Sequence, residues 1–483
     1  MPPQLQEMTR DELMGVVSSL YHEVQTLKKL IYGTRSERFI ADTSNPDQGT
    51  LGFGDCLEPK KEEGAKQTIT YEREKSTSKT IAVRQLIAEH LVRIVHQILP
   101  EEDVTGLIKI GEEVTEQLEY SPGKLFVNRY VRSKYVKVEG DRTKVLIGKL
   151  PECPLPKCIA GPNLLAALIT AKFIDHVPLY RQSQMFKREG VVIADSTLGG
   201  WVNAVAQLLK PLYEAQKKKV LSTSYLQADE TPIQVLESEK RGSSHRGYHW
   251  VYQDPVKRLV LFDYRKGRGR EGPKEILKNF KGHLQTDGYG VYEEFGKRAG
   301  ITLLHCWAHA RRKFSEAEDS DRDRAQYVLQ QIQKLYAIET EIKEQLLGTD
   351  DIVKIRKEKS LPVIEALKKW MIAAKSALLP KSPVSKAIDY TLSRIDALQV
   401  YTTDHRLQID NNLTENAIRP VALGRKNYLF AGSHEAAQNA AIFYSLFATC
   451  KANGINPSIW LTDILQRIGS HPINRIDQLL PGA

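Results

Sequence analysis

The chain is poor in cysteine: Cys56, Cys153, Cys158, Cys306 and Cys450 are scattered over 483 positions. A set so small and uneven excludes a disulfide framework and points to a reducing, cytoplasmic compartment. Long apolar runs are missing as well. No stretch reaches the roughly 18 residues that a membrane span requires, and the longest candidate, Ala440 to Cys450, reads as a buried helix. The polar start MPPQLQEMTRDEL has no apolar core of the kind a secretory signal needs, so neither export nor a membrane partner is expected. Acidic residues are outnumbered, 59 against 69 Lys and Arg, and the net charge of +10 favours a polyanionic partner. The length is too great for one core and calls for roughly two to four domains.

Residues 1–40 are expected to form a helix. Leu13, Val17, Leu20, Val24, Leu27 and Ile31 recur at steps of four and three, with β-branched residues at one seam position and Leu at the other. That pattern fits a parallel two-stranded coil, and hence a homodimer or higher oligomer; an amphipathic helix docked on its own domain explains the same stripe. Residues 41–80, rich in Ser, Thr, Gly, Pro, Lys and Glu, read as a flexible linker. Short alternating runs such as KLFVNRYVRSKYVKV and KVLIGKL make 81–160 a small β-rich module. Three helical stretches over 161–220 match a helix-turn-helix outline for DNA, and equally a plain helical hairpin.

From residue 221 the period changes. YLQADETPIQVL, YHWVYQ and RLVLFDY read as consecutive strands, followed by helix and strand in alternation through ITLLHCW. That is an α/β layout with a mixed sheet. The domain so defined runs over 221–314, is interrupted by a helical insertion over 315–400, and resumes over 401–450 before a C-terminal tail, 451–483.

Asp229 in LQADETP and Asp287 in LQTDGYG each follow an apolar run and precede turn-like residues, so each is expected at a strand's end. Glu415 in DNNLTENAIRP falls near the start of a short helix. Phosphoryl transfer on DNA uses such a set, because two divalent ions about 4 Å apart activate the attacking oxygen and steady the leaving one. Mg²⁺ prefers carboxylate oxygens. Blander readings fit the same residues. An Asp at a strand's end is often a turn former, and Glu415, three residues after Asn412, fits a capping box.

The strings QADETP, QTDGYG, CWAHARRKF, DNNLTENAIRP and GRKNYLFAGS, in this order, closely resemble the insertion-sequence-66 transposase family. IYGTRSERF, EQLEYSPGKLFVNRYVRSKY, PLYRQSQMFKREGV and HPINRIDQLLP extend the resemblance over nearly the whole chain outside the linker. The resemblance implies a DDE transposase with an RNase-H-like core and a helical insertion before the final Glu. Asp229, Asp287 and Glu415 are then the catalytic, metal-holding carboxylates for two Mg²⁺ (or Mn²⁺) ions. It implies DNA as partner, both the element's terminal inverted repeats and the target, together with small accessory proteins of the same element.

Among neighbouring residues, Arg419 falls one turn after Glu415, either to bind a phosphate or to pair with the glutamate. Arg425 and Lys426 follow Gly424 and are expected to contact the DNA backbone, as are Arg311, Arg312 and Lys313 after Trp307. Trp307 reads as core, and Cys306 and His309 as packing rather than a zinc pair. His305 is expected near the carboxylates without a catalytic role. Relatives in the family carry CxxC pairs around the small β module; LPEEDVTGLIKIG and KYVKVEGDRTK hold none, so no structural zinc is expected there. Two other functions share these features: an RNase-H-like nuclease without strand transfer, and a non-catalytic DNA-binding regulator that keeps the fold.

Overall fold

The computed structural model describes residues 123, 125–128, 134–139, 142–147, 153–156, 158–237, 243–345 and 347–482. The N-terminal coil and the linker lie outside the described residues. The chain divides into two compact units, residues 1–126 and 127–483. The second unit begins with two strands, β1 (Lys134–Glu139) and β2 (Arg142–Ile147), paired antiparallel with Lys134 opposite Ile147.

Three helices come next: α1 (Pro162–Phe173), α2 (Leu179–Arg188) and α3 (Asp195–Leu221). The third stands where a recognition helix belongs in the helix-turn-helix outline. Its apolar stripe nevertheless runs from Leu198 through Val205 and Leu212 to Val220, all fully buried in the main core. A stripe of that length is the mark of a helix held by its own domain.

The sheet is built from β3 (Tyr225–Val235), β4 (His245–Asp254), β5 (Leu259–Arg265), β6 (Gly282–Thr286) and β7 (Ile301–His305), in the order β5-β4-β3-β6-β7. The β3–β4 and β4–β5 pairs are antiparallel, and β3–β6 and β6–β7 are parallel. This mixed sheet is consistent with an RNase-H-like core. Short helices follow the strands: α4 (Glu271–Ile276) leads from β5 to β6, and α5 (Gly290–Gly296) connects the parallel pair β6 and β7.

A strand at the sheet's edge exposes unpaired main-chain groups and needs cover. β5 is such a strand, and six of its seven residues are buried. Its cover is α13 (His434–Ala452), where Ser445 Oγ accepts from the Phe262 N–H (2.8 Å) and Thr449 Oγ1 from the Val260 N–H (3.0 Å). From α3, the Tyr213 hydroxyl donates to Phe262 O and the Gln216 carboxamide to Val260 O. The chain end joins the same core. Residues 451–483, which the sequence offers only as a tail, carry α14 (Pro457–Arg467), with Trp460, Leu461, Ile464 and Leu465 buried.

A second hydrophobic cluster gathers the helices between β7 and the last part of the domain. They are α6 (Trp307–Ala317), α7 (Arg322–Glu344), α9 (Leu361–Lys375), α10 (Pro383–Leu392) and α11 (Ile395–Leu398), while α8 (Thr349–Ile355) and a π-helical turn (Arg356–Ser360) between α7 and α9 add no side chain to the cluster. Trp307, Phe314, Ile332, Leu367, Met371 and Ile388 are fully buried there, together with Leu304 of the sheet. The helical lobe therefore starts directly at the end of β7, and α6 runs across residue 315. The chain returns through Gln408–Asn411 to α12 (Asn412–Tyr428) and a two-residue strand, β8 (Phe430–Ala431), parallel to the far end of β3. Among the described residues no helix is long and apolar enough to cross a membrane.

Candidate active site

Residue Asp229 is expected at a strand's end, and here the structure corrects the sequence. Asp229 is the fifth residue of an eleven-residue strand, and β3 continues through Pro232 to Val235 because β4 supplies an antiparallel partner all the way. The proline is tolerated for a local reason. Its carbonyl accepts from Arg425 of α12, on the side away from β4. A residue's N and C=O share one side of a strand, so the missing N–H faces that same gap and breaks no β3–β4 bond.

The gap is the site. β6 pairs with β3 only from Tyr225 to Gln227 and β8 only at Gln234 and Val235, which leaves the β3 edge open between them. Gln227 is the register partner of Gln285. Asp229 lies two residues past the first and Asp287 two past the second, so both aspartates leave the same face at the next level. Asp287 is the first residue beyond β6, and the helical lobe grips its loop. The Tyr390 hydroxyl donates to Asp287 O (2.7 Å), Arg394 donates to Gly288 O (3.1 Å), and the Tyr289 N–H donates to Asp287 Oδ1 (2.8 Å). Only glycine serves at 288, where φ is +87° and a Cβ would lie 2.5 Å from Arg394 Nε.

Glu415 enters from the other side, in the first turn of α12. The capping-box reading does not hold. Asn411, not Asn412, is in the cap position without a side-chain cap bond, and the Glu415 carboxylate meets side chains of α6. One carboxylate oxygen lies 3.6 Å from His309 Nε2 and the other 3.7 Å from an Arg312 nitrogen. The oxygen nearest His309 is buried without a hydrogen-bond partner, as is His309 Nδ1.

Electrostatics show that the carboxylates share one environment. Burial above all, and then the charges of Asp287, Glu230 and Glu415, push the Asp229 carboxyl well above its ordinary range. Burial lowers His309, with Glu415 and Asp287 acting against it. Burial is also the first cause that brings His305 down to about 4, and its ring meets the Thr286 hydroxyl at 3.5 Å.

A buried carboxylate cluster of this kind has the oxygen donors that a divalent cation prefers, and a cation would offset the repulsion raising Asp229. As the side chains stand, no three His, Cys, Asp or Glu groups among the described residues converge on one coordination sphere. Glu415 is engaged by Arg312 and His309 instead.

The cations proposed for DNA divide into two groups. Arg311, Arg312 and Lys313 are exposed on α6, with Arg312 at the carboxylate site itself; Arg419 and Lys426 are exposed on α12. Arg425 is half-buried and hydrogen-bonded to Thr231 Oγ1 (3.0 Å) and the Pro232 carbonyl. Its structural duty to β3 leaves its guanidinium little freedom to follow a phosphate backbone.

Some residues of the site carry little or no signal in the sequence. Glu230, its side chain 2% exposed, is held by Arg268 at 2.6 Å, and that guanidinium stacks 4.1 Å over the Tyr289 ring. His309 reads as packing in the sequence, as does Cys306. Cys306 is indeed buried, but His309 reaches Glu415. The sequence signals for His309 were its spacing from Cys306, its place in the CWAHARRKF string and its position just before a run of three cations.

The fold and site together define an α/β protein whose mixed sheet opens a notch lined by carboxylates from two parallel strands and one returning helix. A model of the transposase IS66 family matches residues 157–439, and one of the IS66 C-terminal element matches residues 445–481. The chain belongs to the IS66 family of transposases. It is similar to two proteins of Sinorhizobium fredii (strain NBRC 101917 / NGR234). Uncharacterized protein y4jD is 31% identical over 497 residues, covering 98% of this chain and 95% of that protein. Uncharacterized protein y4hP is 33% identical over 399 residues, covering 78% and 71%.

Proposed function

We propose that this protein is a DDE transposase, cleaving DNA at the ends of its insertion sequence and transferring the freed strand into target DNA. One arrangement carries the reading. Asp229 and Asp287 stand at equivalent levels of neighbouring parallel strands, and a helix that returns after a long insertion brings Glu415 within electrostatic reach of Asp229.

Asp229, Asp287 and Glu415 would hold two divalent ions, Mg²⁺ or Mn²⁺, which when bound supply Lewis acidity to the phosphate and lower the pKa of attacking water. The remaining work falls to the chain. The main-chain N–H of Tyr289 and the grip of Tyr390 and Arg394 orient Asp287. Arg312, beside Glu415, would take a phosphate oxygen, with Arg311 and Lys313 on the same exposed helix. Lys426 and Arg419 extend the positive surface along α12. The N-terminal coil is proposed to bring two copies together so that two element ends are held at once.

The test is cleavage and joining of a labelled element-end duplex in Mg²⁺ or Mn²⁺, wild type beside Asp287→Ala. The expected result is that wild type cuts and joins while the variant binds without cutting. Cutting without joining by the wild type, with any accessory proteins of the element added, reassigns the protein to nuclease chemistry. A variant as active as wild type removes Asp287 from the mechanism. Duplex affinity should fall steeply as salt rises, through counterion release.

A further inference from the structure

We propose that Gln227 and Gln285 are positioning residues that fix the segment Gln408–Thr414, and through it Glu415, opposite the two aspartates. The role in catalysis rests on the reading given under Proposed function; the role in fixing the segment does not.

The two glutamines are register partners on β3 and β6, one level below the aspartates on the same face, and both are fully buried. Gln227 Nε2 donates to Gln285 Oε1 (2.9 Å) and to Asp410 O (3.0 Å), and Gln227 Oε1 accepts from the Thr414 hydroxyl (3.1 Å). Gln285 Nε2 donates to Gln408 O (2.9 Å). Its Oε1 also accepts from the Tyr225 hydroxyl (2.6 Å), whose oxygen accepts in turn from the Gln408 N–H (3.1 Å). Each carboxamide thus bonds its partner across the sheet with one atom and the returning segment with another.

Burying two carboxamides is unfavourable unless every group finds a partner. Two apolar side chains would fill the same space at lower cost, so packing alone gives no reason for them. Their partners are the main chain of a segment more than a hundred residues away in sequence, plus the hydroxyl of the residue preceding Glu415. That segment needs tying down. It leads out of the helical lobe, and the next strand pairing to the sheet is that of β8 with β3, beyond α12. Three further contacts secure the same stretch: Trp307 N–H to Ile409 O (3.1 Å), Asn411 N–H to Cys306 Sγ (3.5 Å), and the Tyr336 hydroxyl to Asp410 Oδ2 (2.9 Å). With the network closed, movement of the helical lobe does not carry Glu415 away from the strands that bear Asp229 and Asp287.

Amide hydrogen exchange on the full chain, paired with cleavage kinetics, tests this in Gln227→Leu, Thr414→Val and Thr414→Ser. Losing one or more buried hydrogen bonds should speed exchange across residues 408–418 by roughly ten- to a hundredfold in the first two variants. Amides of β4 and β5 should keep their protection. The turnover rate should fall by a comparable factor with duplex affinity unchanged, and Thr414→Ser, which keeps the hydroxyl, should restore both readouts. Exchange that rises everywhere equally, or not at all, makes the glutamines ordinary structural residues and overturns the proposal. Local loosening with unchanged turnover overturns the link to Glu415. Should wild type fail to cleave under any divalent cation with the element's accessory proteins added, the transposase reading falls, while the exchange arm still decides whether the pair fixes this segment.

Discussion

Removing Arg356 isolates one buried charge and so gives a sharp test of what holds the helical lobe. Arg356 is 4% exposed, and its guanidinium forms a two-pronged pair with Glu339, Nε to Oε1 at 2.8 Å and a terminal nitrogen to Oε2 at 2.7 Å. Its other terminal nitrogen donates to Tyr401 O and Asp404 O, both at 2.9 Å. One side chain thus joins α7, the π-helical turn and the segment that leads back to the sheet. In Arg356→Met the Glu339 carboxylate stays buried without its partner, which costs about 3–5 kcal/mol. For a unit spanning residues 127–483, at an unfolding entropy of about 2.1 cal/mol/K per residue, that corresponds to a melting point lower by about 4–7 °C. Arg356→Lys should recover only part of the loss, since an ammonium cannot reproduce a fork that serves a carboxylate and two carbonyls together. The double variant Arg356→Met/Glu339→Leu should be far less damaged than Arg356→Met alone, because the stranded charge is gone. A control is the exposed pair Lys375–Asp389, whose loss should cost less than about 1 kcal/mol. The assay is thermal and urea unfolding followed by tryptophan fluorescence, with Trp307 and Trp370 reporting on the lobe. A drop below about 2 °C for Arg356→Met, or losses that simply add in the double variant, would falsify the account.

Other consequences arise from the site. Asp229 has a raised pKa, so folding carries a penalty that is absent below its ordinary value of 3.8 and grows as pH rises through the folded-state value. Asp229→Asn should therefore raise the melting point at pH 8 and leave it little changed at pH 4; an equal gain at both would mean burial and repulsion are not the cause. Mg²⁺ should stabilise the wild type, by about 2.7 kcal/mol at a hundred times its dissociation constant, and Asp287→Ala should lose that response; an identical shift in both proteins would place the ion elsewhere. Leu429 ends α12 at φ +62° and is 63% exposed, so Leu429→Gly should gain roughly 1 kcal/mol from relieved backbone strain, a gain checked by urea unfolding.

Several features were legible in the sequence because their physics is local. Strand periodicity marked β3, β4 and β5, the buried character of Ala440 to Cys450 marked the centre of α13, and the helical pattern over 315–400 marked the inserted lobe, though not its start at Trp307. The two QxD strings and the DNNLTENAIRP string singled out Asp229, Asp287 and Glu415 through the family resemblance. Spacing alone did not, among 59 acidic residues. What the tertiary structure decided was how these parts meet. Whether β3 stops at Asp229 or runs on depends on β4 offering a partner as far as Val235, and no local signal reports a partner strand. Arg425 looks like a DNA contact beside a glycine, yet it is hydrogen-bonded to Thr231 and Pro232. His309 and Arg312 stand over a hundred residues from the glutamate they meet, and so do Gln227 and Gln285 from the main-chain carbonyls they bond. Composition and period are properties of neighbours in sequence. Burial, like-charge repulsion and a closed hydrogen-bond network are properties of neighbours in space, and here the insertion between Trp307 and Leu407 separates the two.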